Sequence, residues 1–262
     1  MGAADAVPGV SGGTIAFITG IYDRFVQLIA GFGPGWIRAY RQQGWPGLVR
    51  QWDLPFSVPL GLGIVIGMLA ISRWVLFALD RYPALIWSLF LGLVLAAVPL
   101  VLRGYDWRPK LAWGVAGLAL AAGMGLFNLQ LPQTSLGVFL AGLIALSAMI
   151  LPGISGSFLL LLLGMYSLVF EAIHRLDLSV IGWFALGGVV GIASMARVLR
   201  WAFQSRPVQV RTFLAGLMLG SAAQLWPFQH TAATPGNLAL ALLGLILGGV
   251  LLWSVDRLAR VS

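Results

Sequence analysis

Apolar stretches about as long as a bilayer core is thick follow one another along this chain, and its charges fall mainly in the connections. The stretches run over residues 56 to 79, 84 to 102, 111 to 131, 180 to 203, 208 to 226 and 237 to 256, each near the ~20 residues that span hydrocarbon. With 60% hydrophobic and 9% charged residues, the chain has too little polar surface to cover a soluble globule. The fold class that follows is an all-α polytopic membrane protein, with one membrane domain over residues 1–262. Eleven Trp and 34 Gly suit headgroup anchoring and close helix packing. The net charge of +8 then reads as a topology signal, and nucleic acid is not expected as a partner. Zero Cys removes disulfides, thiolate metal sites and cysteine nucleophiles. The first apolar run lacks the basic flank and small-residue cleavage site of a signal peptide.

Within this frame the sequence repeats itself. Val7-Pro8-Gly9-Val10-Ser11-Gly12-Gly13-Thr14 returns 144 positions later as Leu151-Pro152-Gly153-Ile154-Ser155-Gly156-Ser157-Phe158, and Gly20-Ile21-Tyr22 returns as Gly164-Met165-Tyr166. Apolar arms lead out of both motifs, one of about 18 residues ending near Ile29 and one from Ser157 to Ile173. Gly63, Gly67, Arg73 and Pro83 match Gly187, Gly191, Arg197 and Pro207 at an offset of 124. The fall from 144 to 124 places about 20 extra residues in the first half, where a polar, Trp-rich linker runs from Gly33 to Asp53. The chain thus divides into repeat 1 (about 1–131) and repeat 2 (about 136–262), each a motif hairpin plus three spans. A 14-residue arm, 136 to 149, precedes the second motif, but only Met1 to Ala6 precede the first. Either the native chain begins upstream of Met1, or the first hairpin lacks its entering arm.

Charge decides how these units sit in the bilayer. If both motif units turn back within the membrane, thirteen of the sixteen Lys and Arg fall on one side, leaving Arg73, Arg81 and Arg175 on the other. If the second unit crosses, the division is even. The positive-inside rule selects the re-entrant arrangement, with a cytoplasmic C-terminus. Three spans per repeat is an odd number, so the second repeat is expected to be inverted. Inverted repeats with broken helices that meet near the midplane are a transporter architecture with alternating access.

The motif chemistry points to an anion. Pro8 and Pro152 end one arm, and the glycines that follow let the backbone approach a ligand. Gly9, Ser11, Gly12, Gly13 and Thr14, with Gly153, Ser155, Gly156 and Ser157, offer hydroxyls and N–H groups at the start of the next arm, which suits phosphate or carboxylate. A tight turn at a kinked helix is the plainer role, and the matched second copy argues against it. Arg24, Arg73 and Arg197 are the candidate countercharges, with snorkelling at the membrane edge as their competing role. Asp5, Asp23 and Glu171 are the candidates for a coupling proton. Asp23 could instead pair with an Arg, and Asp5 could cap a short helix.

Other signals are weaker. Gly63-x-x-x-Gly67, Gly187-x-x-x-Gly191, Gly216-x-x-x-Gly220 and Gly244-x-x-x-Gly248 mark helix contacts within the monomer or in a homodimer. His174 and His230 read as loop residues without metal-ligand spacing. No Gly-Lys-[Ser/Thr] follows the glycine-rich motif, so a P-loop for ATP is excluded. No cofactor or metal is expected.

The segment from Met1 to Thr14, continued by Gly20-Ile21-Tyr22-Asp23-Arg24, and the second copy from Leu151 to Ser157 with Gly164-Met165-Tyr166, resemble the bacterial polyprenyl-phosphate transporter family, PopT. The resemblance covers nearly the whole chain. It implies a non-enzymatic flippase of the plasma membrane that returns undecaprenyl phosphate, the lipid carrier of cell-wall sugars, from the outer to the cytoplasmic leaflet. The rival class is an undecaprenyl-pyrophosphate phosphatase, similar in architecture. Its Pro-Gly-x-Ser turn continues with Arg, whereas Gly12 and Gly156 stand here, and its Glu-rich partner motif is missing because Glu171 is the only Glu. A carrier for a small anion would keep the same headgroup site.

Overall fold

The computed structural model describes residues 1–2, 11–31, 35–67, 70, 72–124, 129–229 and 231–259. Asp5, Gly9 and His230 lie outside these residues, as does the side chain of Arg73. Thirteen α-helices run through the described part, and no strand occurs there. In the first half they are α1 (Gly12–Ile18), α2 (Tyr22–Gly31), α3 (Gly35–Gln51), α4 (Leu54–Ile66), α5 (Ser72–Arg81), α6 (Pro83–Leu102) and α7 (Leu111–Gly123). The second half holds α8 (Ser135–Ala148), α9 (Gly156–Leu162), α10 (Tyr166–Arg175), α11 (Leu178–Ser205), α12 (Pro207–Ala222) and α13 (Pro235–Ala259).

The matched sequence segments have matching local structure. α1 and α9 have seven residues each, α2 and α10 ten, and both pairs are offset by 144 positions. Gly20 and Gly164 adopt φ of +73° and +67° between them, a conformation that costs a glycine little because it lacks Cβ. Each outgoing arm is therefore broken rather than continuous, with α9 and α10 bent by 113°. Gly-x-Tyr is where each arm breaks. At the offset of 124, Pro83 and Pro207 each open a helix, where the missing N–H costs nothing because a first-turn N–H has no intrahelical partner.

The apolar segment 56 to 79 holds α4 and α5, with Gly67 and Ala70 π-helical between them. Two expectations change. The stretch read as a linker is helical from Gly35 to Gln51, with a break at Gly44, whose φ is +61°. His174 lies in the last turn of α10, where its Nδ1 pairs with the Phe170 carbonyl at 2.8 Å, and not in a loop. Among the described residues three helices are long and apolar enough to cross a membrane, within Pro83–Leu102, Leu178–Ser205 and Pro235–Arg257.

Packing runs through the predicted glycine pairs. α6 lies along α13, α8 along α11, and α7 along α12. A Cβ on Gly187 or Gly191 would collide with the carbonyls of Phe139 and Leu143 on α8. One on Gly216 would strike the Gly114 carbonyl of α7, and those on Gly244 and Gly248 the Leu85 and Leu89 carbonyls of α6. Backbones approach this closely only where no side chain intervenes. Ala141, Ala145 and Ala196, all fully buried, extend the small-residue seams. These three pairs join helices within one chain, while a Cβ on Gly63 would meet nothing within 4 Å.

Candidate functional site

The two motifs meet. Ser11 is the N-cap of α1; its Oγ accepts from the Gly13 N–H at 3.1 Å, which satisfies one of the donors that the first turn leaves free. The same hydroxyl is 3.2 Å from the Met149 carbonyl and 3.4 Å from that of Leu151, so its proton is directed at the second motif's turn. In the other direction, the Gly153 N–H donates to Thr14 Oγ1 at 2.9 Å. The Tyr22 hydroxyl, at the start of α2, donates to the Ile150 carbonyl at 3.0 Å. Ser11, Thr14 and Tyr22 are all at most 2% exposed, so these bonds form away from bulk solvent, where an unmade one costs most.

Glycine makes the junction close enough. A Cβ on Gly13 would lie 2.6 Å from the Ile150 carbonyl oxygen. Gly153, at φ +87°, turns the second motif where a Cβ would lie 2.8 Å from the Ser221 hydroxyl of α12 and 3.0 Å from the Leu217 carbonyl. The second turn is thereby held between α1 and α12.

Beside the junction lies a cavity of about 350 Å³. Its polar lining comes from Ser11, Ser155 and Ser157, and its walls from α8, α10 and Phe184 of α11. Ser155 does not cap α9 as Ser11 caps α1; its hydroxyl pairs with that of Ser157 at 2.9 Å. A hydroxyl pair of this kind can redirect its protons to an incoming acceptor. Gly156 lines the same cavity. Among the described residues, no charged side chain lines it.

Of the sequence-predicted cations, Arg24 and Arg197 lie elsewhere. Arg24 makes a bidentate pair with Asp53, with Nε–Oδ2 at 2.6 Å and Nη2–Oδ1 at 2.9 Å, and lies over the Phe56 ring at 4.3 Å. That hydrogen bond holds the exposed Asp53 carboxyl below its ordinary value. Arg197 is on an exposed face of α11. Of the acids, exposed Glu171 pairs with Arg175 one turn on, at 3.5 Å. Asp23 takes its alternative role and pairs with an Arg, accepting from Arg211 Nη2 at 2.7 Å.

Arg211 was not among the candidate site residues. It sits in the second turn of α12, with the rings of Tyr105, Phe203 and Phe17 at 4.9, 5.4 and 5.9 Å from its guanidinium carbon. Its side chain is 17% exposed. The available signal was an Arg inside an apolar span. Its counterpart at the 124 offset is Trp87, so comparing the halves did not bring it forward.

Known proteins give this geometry a context. The chain is 41% identical over 234 residues to a polyprenyl-phosphate transporter of Vibrio cholerae, covering 88% of this chain and 76% of the relative. It is 28% identical over 249 residues to a polyprenyl-phosphate transporter of Staphylococcus aureus, covering 87% and 83%. No solved structure matches it. Residues 1–249 match the undecaprenyl phosphate translocase-like family, and with its helical membrane fold and paired turns the chain belongs to that family.

Proposed function

We propose that the protein is a flippase that returns undecaprenyl phosphate, or a related polyprenyl phosphate, from the outer to the cytoplasmic leaflet of the bacterial plasma membrane. The observation that carries this reading is the junction of Ser11 to Thr14 with the second Pro-Gly-x-Ser turn, 140 residues apart between Ser11 and Leu151, beside a cavity lined by three motif serines. The phosphate is held there by the hydroxyls and N–H groups of Ser11 to Thr14 and Gly153 to Ser157, with the Gly153 and Gly13 N–H groups exchanging Thr14 and Ser11 for the ligand, while the prenyl tail stays in lipid. Hydroxyl and amide donors stabilise an anion strongly in a site that excludes water. Of the sequence-predicted cations, Arg24 has to leave Asp53 to take part.

The positive-inside count supports a cytoplasmic C-terminus and an inverted second repeat, which exposes the junction to each leaflet in turn. Asp5, Asp23 and Glu171 are the side chains through which a proton gradient would drive the cycle.

Purified protein in liposomes tests this through the movement of labelled undecaprenyl phosphate between leaflets, with and without a pH gradient. Wild-type protein moves the lipid, and Ser155→Ala with Ser157→Ala slows it about tenfold or more, in line with lost hydrogen bonds to a charged group. Wild-type rates in that variant would remove the serines from the site. No movement with wild-type protein would remove the function.

A further inference from the structure

A second cavity, of about 220 Å³, lies where α2, α11, α12 and the loop after α6 meet. It is lined by Asp23, Gln27, Tyr105, Arg200, Gln204 and Arg211, among others. Asp23 and Arg211 pair through one oxygen and one nitrogen only, so that Asp23 Oδ1 and Arg211 Nε are buried without a hydrogen-bond partner among the described residues. Buried polar atoms are nearly always satisfied, and a charged pair left half-satisfied marks a place for a further group. Arg200 makes no ion pair among the described residues, so two cations and one carboxylate leave the cavity with a net charge of +1.

The Asp23 side chain is 48% exposed, so the pair is open to a ligand from the cavity. A ligand that matches these groups accepts from Arg211 and Arg200, donates to Asp23 Oδ1 and carries one negative charge. A carboxylate or sulfate accepts but cannot donate. A phosphate monoester that keeps one proton does both, and its second ionisation near pH ~6 makes that form accessible at physiological pH. Tyr105 also lines an apolar cavity of about 640 Å³ between α6, α7 and α12, so it borders both.

We propose that this cavity is a second phosphate site, which takes a singly protonated prenyl phosphate between Arg211, Arg200 and Asp23, with the start of its tail past Tyr105. The proposal rests on the polyprenyl-phosphate reading above and adds that the substrate carries its own proton. The charged or titratable groups around the phosphate are Asp23 of α2, Tyr105 of the loop, Arg200 of α11 and Arg211 of α12.

Native mass spectrometry of the full chain with farnesyl phosphate, farnesyl sulfate and inorganic phosphate, at about pH 6, tests it. The Ser155→Ala/Ser157→Ala background isolates this cavity from the paired turns. Farnesyl phosphate still binds in that background, and adding Arg211→Gln or Arg200→Gln weakens it about tenfold or more, the scale of one charge-assisted hydrogen bond. Farnesyl sulfate binds about tenfold more weakly than farnesyl phosphate, and Asp23→Asn removes that preference. Arg200 has no ion pair to lose among the described residues, so its variant keeps the test valid if Arg211→Gln unfolds. Undiminished binding in both Arg variants overturns this site alone. Equal binding of sulfate and phosphate overturns the proton, and inorganic phosphate binding as tightly as farnesyl phosphate overturns the lipid. Failure of unmutated protein to bind farnesyl phosphate overturns the polyprenyl-phosphate reading as well.

Discussion

Gly63 and Gly187 occupy the same place in the two halves of the chain, and so do Asp53 and Asp177, yet their surroundings differ throughout. α11 is one helix of 28 residues, capped by Asp177 at the Ser179 and Val180 N–H groups and packed on α8 through Gly187 and Gly191. The matching residues 54–81 include α4 and α5; α4 buries no residue, and Asp53 gives its carboxylate to Arg24. A glycine pair thus records that a helix can be approached closely. What approaches it is a property of the rest of the fold.

The largest expected effect breaks this comparison at its centre. Gly187→Leu drives a side chain into the α8 backbone and should cost about 3 kcal/mol or more, read as a fall in melting temperature in detergent. Gly63→Leu should stay within about 1 kcal/mol of wild type, with helix propensity in its favour. An equal loss in both would mean that α4 is covered as α11 is.

A smaller effect separates the two Gly-x-Tyr breaks. Tyr22→Phe strips the Ile150 carbonyl of a buried partner and should cost about 1 kcal/mol. Tyr166 stacks on Phe170 with ring centroids 4.3 Å apart, and Tyr166→Phe keeps that contact, so a change within about 0.5 kcal/mol is expected. Reversed magnitudes would place the stabilising break in the second unit.

The two aspartates give the smallest difference. Asp177→Ala removes a helix cap and should cost about 1 kcal/mol. Arg24→Gln removes an exposed pair and should shift melting less. Arg24 lowers the Asp53 pKa, so its contribution is present above the ordinary carboxylate range and lost as pH falls through the lowered value. The wild-type and Arg24→Gln melting curves should therefore converge on acidification; a gap that widens would reverse the sign.

Hydropathy was enough to read α6, α11 and α13 from the sequence, because long apolar runs need no partner to be recognised. The repeat brought Ser11, Thr14, Ser155 and Ser157 to notice, and folding places them around one junction and its cavity. What hydropathy could not supply was backbone direction. Gly20 and Gly164 stand in otherwise apolar arms, and their positive φ leaves no trace in an apolar pattern. The Asp23–Arg211 pair was hidden for another reason. Its partners are 188 residues apart, and their counterparts Ser167 and Trp87 share neither charge, so comparing the halves singles out Asp23 by its place near the motif but does not lead to Arg211.

The hydrogen bonds from Ser11, Tyr22 and Gly153 across the junction have a mechanical meaning. They tie α1 and, through Tyr22, the first turn of α2 to the second turn, and Gly153 is held against α12. In the proposed transport cycle, a swing of the serine-lined cavity toward the opposite leaflet has to carry Ser11 to Tyr22 and the second turn together. Gly20 lies inside that unit, whereas Gly164, whose nearest neighbour is Gln130 at 3.5 Å, lies outside it and is placed to be a hinge.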